Sequence, residues 1–221
     1  MPTDDLFIIK VASSIIALMV AIIGHEIMHG WVAYKYGDDT AKSRGRLTLN
    51  PIKHIDLIGS IVVPALLFMA HTPFLFGWAK PVPIDMKTVI NNGGYSAAMQ
   101  VSLAGIAYNL IMATFASVLL LSLALPTQGD DFTYIFGYIL LYQIVMINII
   151  LAVFNLWPIP QFDGAHFISF LGLQMGTAKI AQFYQRYEPY GMIIILIILM
   201  IPGLSHYLFM PALWLQQALL S

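Results

Sequence analysis

Gly24-His25-Glu26-Ile27-Met28-His29-Gly30 closes the first apolar stretch of the chain, which runs from Leu6 to Ile23 with Lys10 as its one charge. A stretch of this length and composition is enough to span a bilayer as a helix. Its flank is acidic (Asp4, Asp5) and no small-residue cleavage site follows, so it reads as a retained helix, not a secretion signal. The helix is expected to continue through His29. Three ionisable side chains then stand at its end. Such groups are costly in a membrane span and mark function by default.

The rest of the chain agrees with a membrane setting. Of 221 residues, 59% are hydrophobic and 10% charged, against about 25% charged in an ordinary soluble domain. A net charge of −1 offers no basic field for nucleic acid. With no cysteine, disulfides, thiolate metal sites and a cysteine nucleophile are excluded. Any metal must be held by His, Asp or Glu. The expected fold class is an all-α polytopic membrane protein, a helical bundle of about five to six transmembrane or membrane-embedded segments with a small re-entrant or extended element. It reads as one domain over 1–221, with a core over 6–170 and additional membrane segments over 189–220.

Charge and length suggest the topology. The polar stretch from Tyr34 to Lys53 carries Lys35, Lys42, Arg44, Arg46 and Lys53, half of the ten Lys and Arg. The positive-inside rule puts it in the cytoplasm and the N-terminus outside. Ile55 to Ala70 is short and broken by Gly59 and Pro64, so it reads as re-entrant or interfacial. Thr72 to Asn92 is expected to be a loop rich in Pro, Gly and aromatics, Ala97 to Leu125 a helix, and Phe132 to Trp157 another. Pro126 to Asp131 has no base and suits the outside. Pro158 to Gly164 is a broken segment and Phe167 to Glu188 a mixed, cytoplasmic one. Tyr190 to Ile201 and Tyr207 to Leu220 form a final apolar pair.

The first helix supplies the chemistry. Positions i and i+4 share a helix face, so His25 and His29 can address one metal ion. Glu26 lies about 100° round from His25, close enough to reach a water on that ion without ligating it. This is the H-E-x-x-H pattern of zinc hydrolases. Catalytic zinc takes a third protein ligand. His54 and Asp56 read as solvated or capping groups, His166 as an interfacial polar residue, and His71 and His206 as segment-end histidines. Asp163 lies in Asn155-Leu156-Trp157-Pro158-Ile159-Pro160-Gln161-Phe162-Asp163-Gly164, where the prolines stop a helix. Broken backbone at membrane depth is tolerated where it is buried in protein or lines a cavity. If the 132–157 helix runs toward the cytoplasm, as its base-free leading turn suggests, Asp163 arrives on the same side as the histidines.

With these residues in view, the chain resembles the site-2 proteases, the intramembrane zinc metalloproteases. His25–His29 resembles their H-E-x-x-H, and Asn155–Gly164 their N-x-x-P-x-x-x-x-D-G. Asn50–Asp56 and Gly77–Pro83 resemble a short bacterial branch without a PDZ domain. Ala104–Asn109 resembles the A-G-P-x-x-N element, with Ile106 in place of the usual Pro. The resemblance covers roughly residues 15 to 170. It implies one Zn2+ per chain on His25, His29 and Asp163, Glu26 as the base, and Asn109 and Asn155 in substrate or transition-state contact; read as residues alone, the two asparagines equally suit hydrogen bonding between helices. It implies a transmembrane-helix protein as substrate, cut within or near its membrane segment, in the bacterial cytoplasmic membrane with the site toward the cytoplasm. The segments around Gly59 and Gly77–Pro83 are either an extended edge for an unwound substrate or a plain connecting loop. Two rivals stay open at this level: an ion or proton transporter, and a zinc-binding membrane scaffold without activity.

Overall fold

The computed structural model describes residues 3–69, 77–127 and 129–221. The elements are α1 (Thr3–Lys35), α2 (Thr40–Ser43), a 3₁₀ turn (Pro51–His54), a π turn (Ile58–Val62) running into α3 (Val63–Met69), α4 (Met86–Leu121) and α5 (Phe132–Leu156), followed by α6 (Asp163–Gln174), α7 (Ala178–Tyr187), a 3₁₀ turn (Glu188–Tyr190), α8 (Gly191–Met200) and α9 (Pro202–Leu220). There is no strand among the described residues. The fold is all-α and polytopic, as expected.

Among the described residues, α1, α4 and α5 are long and apolar enough to cross a membrane. The segment of α7 and α8 with α9, bent by 95°, makes a fourth if it is one span. These helices are inside-out in size. Their mutual faces carry small residues: Ala17, Ala21 and Ala33 of α1, and Ala97, Ala98, Ala104, Gly105, Ala113 and Ala116 of α4, are all buried. Phe7, Ile8 and Ile15 of α1, and Ile111, Phe115 and Val118 of α4, face outward. Small residues let helices approach closely where lipid offers no hydrophobic drive between them, and bulky apolar ones suit the lipid side.

α1, α4 and α5 pack on one another, and α6 lies against α4. Ala113 and Ala116 of α4 meet Val145, Ile149 and Val153 of α5 and Ala212 of α9 in one cluster. Ile58–Met69, with Pro64 inside, spans about 18 Å at 1.5 Å per residue, short of the roughly 30 Å hydrocarbon core.

Helix α4 differs from the sequence expectation. It begins at Met86, within the stretch read as loop, not at Ala97. Asp85 caps it, accepting from Lys87 N at 3.1 Å and from Thr88 Oγ1 at 2.6 Å. The Thr88 hydroxyl holds the Asp85 carboxyl below the usual carboxylate range. Asp38, at the end of α1, accepts from Asp85 N at 2.8 Å and ties the two helices. At Gly94 (φ 67°, ψ −170°) the helix is kinked, in a region open essentially to glycine alone. A Cβ there would meet nothing, so Gly94→Ala isolates backbone strain. It is expected to cost about 1–3 kcal/mol, read as a lower thermal midpoint in detergent than that of Gly137→Ala, where a Cβ also meets nothing but the backbone is helical.

Candidate metal centre

His25 and His29 are buried one turn apart on α1, with Nε2 atoms 3.0 Å from each other. Asp163 is the first residue of α6, where the positive end of the helix favours a carboxylate. Its Oδ2 lies 3.2 Å from each Nε2. The break before it is built for this approach. After Pro158 and Pro160 the backbone turns through Gln161 at φ 78°, and Phe162 is extended before α6 begins. Gly164 then sits against the backbone of Leu156 and Trp157, where any side chain would collide.

The three donors fit a metal by their hydrogen bonding. His25 Nδ1 donates to Asn109 Oδ1 and His29 Nδ1 to Val101 O, both at 2.7 Å. In its neutral form each imidazole then presents a lone pair at Nε2. Asp163 Oδ2 is buried and accepts no hydrogen bond. Three donor atoms thus converge within 3.0–3.2 Å of one another, an arrangement that a proton or a metal cation must neutralise. Donors about 2.0–2.2 Å from one zinc ion at tetrahedral angles stand about 3.4 Å apart, close to the observed spacing. Among the described residues, His25, His29 and Asp163 are the group able to hold an ion in this way. The donor set, nitrogen and oxygen without sulfur, suits zinc.

Gly105 of α4 lies behind the site. A Cβ there would strike both imidazoles. Gly105→Ala should overpack the centre at about 1–3 kcal/mol, displacing the donors themselves. The expected result is a zinc affinity lower by roughly tenfold or more, measured by chelator competition, with Gly137→Ala as the unaffected control.

Glu26 points to a different neighbour. Its Oε2 accepts from Val82 N at 2.7 Å. Val82 belongs to an extended run that is held on one edge: Trp78 N donates to Gly59 O at 3.1 Å and Lys80 N to His54 O at 2.9 Å. Arg46 Nη2 donates to Lys80 O at 2.8 Å. The run is thus a fixed element beside the H-E-x-x-H turn, a long-range arrangement that local sequence did not signal.

The other sequence candidates fall elsewhere. Asn109 is fully buried, and its side chain is spent on His25 Nδ1, Ala21 O and Asn148 Oδ1. It stands behind a histidine, where its hydrogen bonds join α1, α4 and α5. Asn155 donates from Nδ2 to Leu151 O at 3.0 Å. Asp56 caps the turn into α3, accepting from Gly59 N at 2.7 Å. Buried His54 bonds Thr48 O at 2.9 Å. His166 lines a groove with Gln161, Ser169 and Glu188, and exposed His206 lies edge-on to Tyr207. His71 lies outside the described residues. Asn148, buried among helices, was not singled out by sequence reasoning. An asparagine within an apolar helix was the available signal.

Comparison with known proteins gives the family. The model for peptidase family M50 matches residues 127–201, which hold α5, the proline break and Asp163. YwhC of Bacillus subtilis (strain 168), provisionally named a zinc metalloprotease, is 37% identical over 208 residues, covering 90% of this chain and 84% of its own. Rip2 of Mycolicibacterium smegmatis (strain ATCC 700084 / mc(2)155), named in the same way, is 27% identical over 213 residues, 94% of this chain and 73% of its own. No solved structure matches the chain. With likeness of this degree running along most of both chains, the protein belongs to peptidase family M50, the site-2 protease family.

Proposed function

We propose that this zinc metalloendopeptidase cuts a peptide bond within or near the transmembrane helix of a membrane-anchored regulatory protein. The observation that supports the reading is the convergence of His25, His29 and Asp163 inside a bundle of membrane-spanning helices. Residues 1–221 act as one domain, with the chemistry in 6–170 and the segments over 189–220 as additions. The family assignment favours hydrolysis over the transport and silent-scaffold readings.

His25, His29 and Asp163 would hold the zinc. Bound there, zinc supplies a Lewis acid and a water acidified toward a pKa of about 7. Glu26 is the proton carrier: with Oε2 held by Val82 N, Oε1 takes the proton of the attacking water and returns it to the leaving nitrogen. Asn155, with Oδ1 unbonded among the described residues, is a candidate acceptor for a substrate N–H.

A substrate helix hides its carbonyls in its own hydrogen bonds, so it must unwind before attack. Among the described residues, the carbonyls of Gly77, Ala79 and Pro81 on the second edge of the run from Gly77 to Pro83 accept no hydrogen bond, which suits such a strand. Trp31, Tyr34 and Lys35 follow His29 on α1, with Lys35 over the Trp31 ring at 3.6 Å. Taken as interface anchors, they support a depth for the two histidines of about 3–15 Å below the headgroup level at 1.5 Å per residue. The basic stretch over 34–53 supports a cytoplasmic side for this interface, in a bacterial inner membrane.

The test is cleavage of a reporter helix in liposomes, with the cut mapped by mass spectrometry. We expect a cut in or beside the membrane segment, abolished by a zinc chelator and restored by added zinc. Cuts confined to soluble loops, or cleavage that survives chelation, would contradict the proposal.

A further inference from the structure

A run of buried amides crosses three helices and ends on His25. Asn148 of α5 donates from Nδ2 to Ile144 O at 2.8 Å. Its Oδ1 accepts from Asn109 Nδ2 of α4 at 2.8 Å. The same Nδ2 donates to Ala21 O of α1 at 3.1 Å, and Asn109 Oδ1 accepts from His25 Nδ1 at 2.7 Å. Both asparagines are fully buried, each at 0% exposure.

The run has a fixed direction. A backbone carbonyl can only accept. Turning the Asn148 amide over would set its oxygen against Ile144 O. Turning Asn109 over would set its oxygen against both Ala21 O and Asn148 Oδ1. Each reversal leaves buried acceptors facing one another, at a cost of a few kcal/mol apiece. Asn109 therefore presents oxygen to His25, so His25 carries a proton on Nδ1, and the neutral ring has its lone pair on Nε2. His29 is fixed differently, by Val101 O, which no side-chain substitution removes.

We infer that Asn148 is a positioning residue: through Asn109 it sets the tautomer and ring orientation of His25 and so the strength with which the site holds zinc. The inference rests on the reading of His25 as a ligand. Partners behind a metal-bound histidine are worth about 10–100-fold in metal affinity.

The test is a double-mutant cycle on Asn109→Leu and Asn148→Leu, read as zinc dissociation constants by chelator competition. The thermal midpoint of the metal-free protein is recorded alongside. Asn109→Leu should weaken zinc binding about 10–100-fold and Asn148→Leu about tenfold. In the Asn109→Leu background, Asn148→Leu should add less than about twofold, because the path to His25 is already cut. A purely structural role would act on the metal-free midpoint and give losses in zinc affinity that multiply. Asn148→Asp keeps the relay if Leu is not tolerated. As a buried neutral acid its O–H donates to Ile144 O and its carbonyl oxygen accepts from Asn109, so zinc affinity should stay within about threefold of the wild type. Unchanged affinity in Asn148→Leu, multiplying losses, or a tenfold loss in Asn148→Asp would overturn the inference. His25→Ala separates the two layers. If it still binds zinc like the wild type, the ligand reading fails; if it does not, any failure belongs to Asn148 alone.

Discussion

Replacing Asp163 with alanine is expected to remove zinc and proteolysis together. The carboxylate supplies one of three donors and the negative charge among them. Without it, two neutral imidazoles remain, too few for a catalytic zinc site. Losing the metal forfeits several kcal/mol of transition-state stabilisation, roughly a 10³-fold or greater fall in kcat/KM at 1.36 kcal/mol per decade. The fold should survive, because Asp163 Oδ2 makes no hydrogen bond within the protein. In the wild type, zinc should raise the thermal midpoint by mass action on the folded state. In Asp163→Ala that rise should vanish. Metal analysis, cleavage rate and midpoint with and without zinc give three readings. A variant that keeps stoichiometric zinc, or that stays active, contradicts the assignment.

Glu26→Gln separates proton transfer from metal binding. The amide oxygen of Gln can still accept from Val82 N, so the extended run and the turn of α1 should hold. The carboxylate that takes and returns the proton is gone. General acid–base catalysis of this kind contributes about 10²–10⁴-fold, and a fall in kcat of that size is expected with zinc content near one per chain. Zinc loss in Glu26→Gln would make the residue part of the metal site. Full activity would transfer the base role elsewhere.

The parts of the site carried by local spacing were legible in the sequence. His25 and His29 share a face because i and i+4 do on any helix, and the apolar run before them fixes the helix. Asp163 was reachable because a proline break in an apolar helix has few uses, and because charge bias orders the segments. What depended on distant partners was not legible. No pattern near Glu26 announces Val82, 56 residues away. Asn109 was open between a substrate contact and a bond between helices because a polar side chain near a metal site can face either way, and its partners Ala21 and Asn148 lie on other helices, far off in sequence. The start of α4 was missed because Asn91-Asn92-Gly93-Gly94 reads as turn chemistry. The helix continues through it with a single glycine-specific kink, capped upstream by Asp85.

Zinc-edge X-ray absorption on the purified, zinc-loaded protein reads the ligands of the metal itself. One zinc per chain with two imidazoles and oxygen ligands at about 2.0–2.2 Å is expected, with loss of that spectrum in Asp163→Ala. A spectrum with three imidazoles or with none, or one that Asp163→Ala leaves unchanged, would contradict that ligand set.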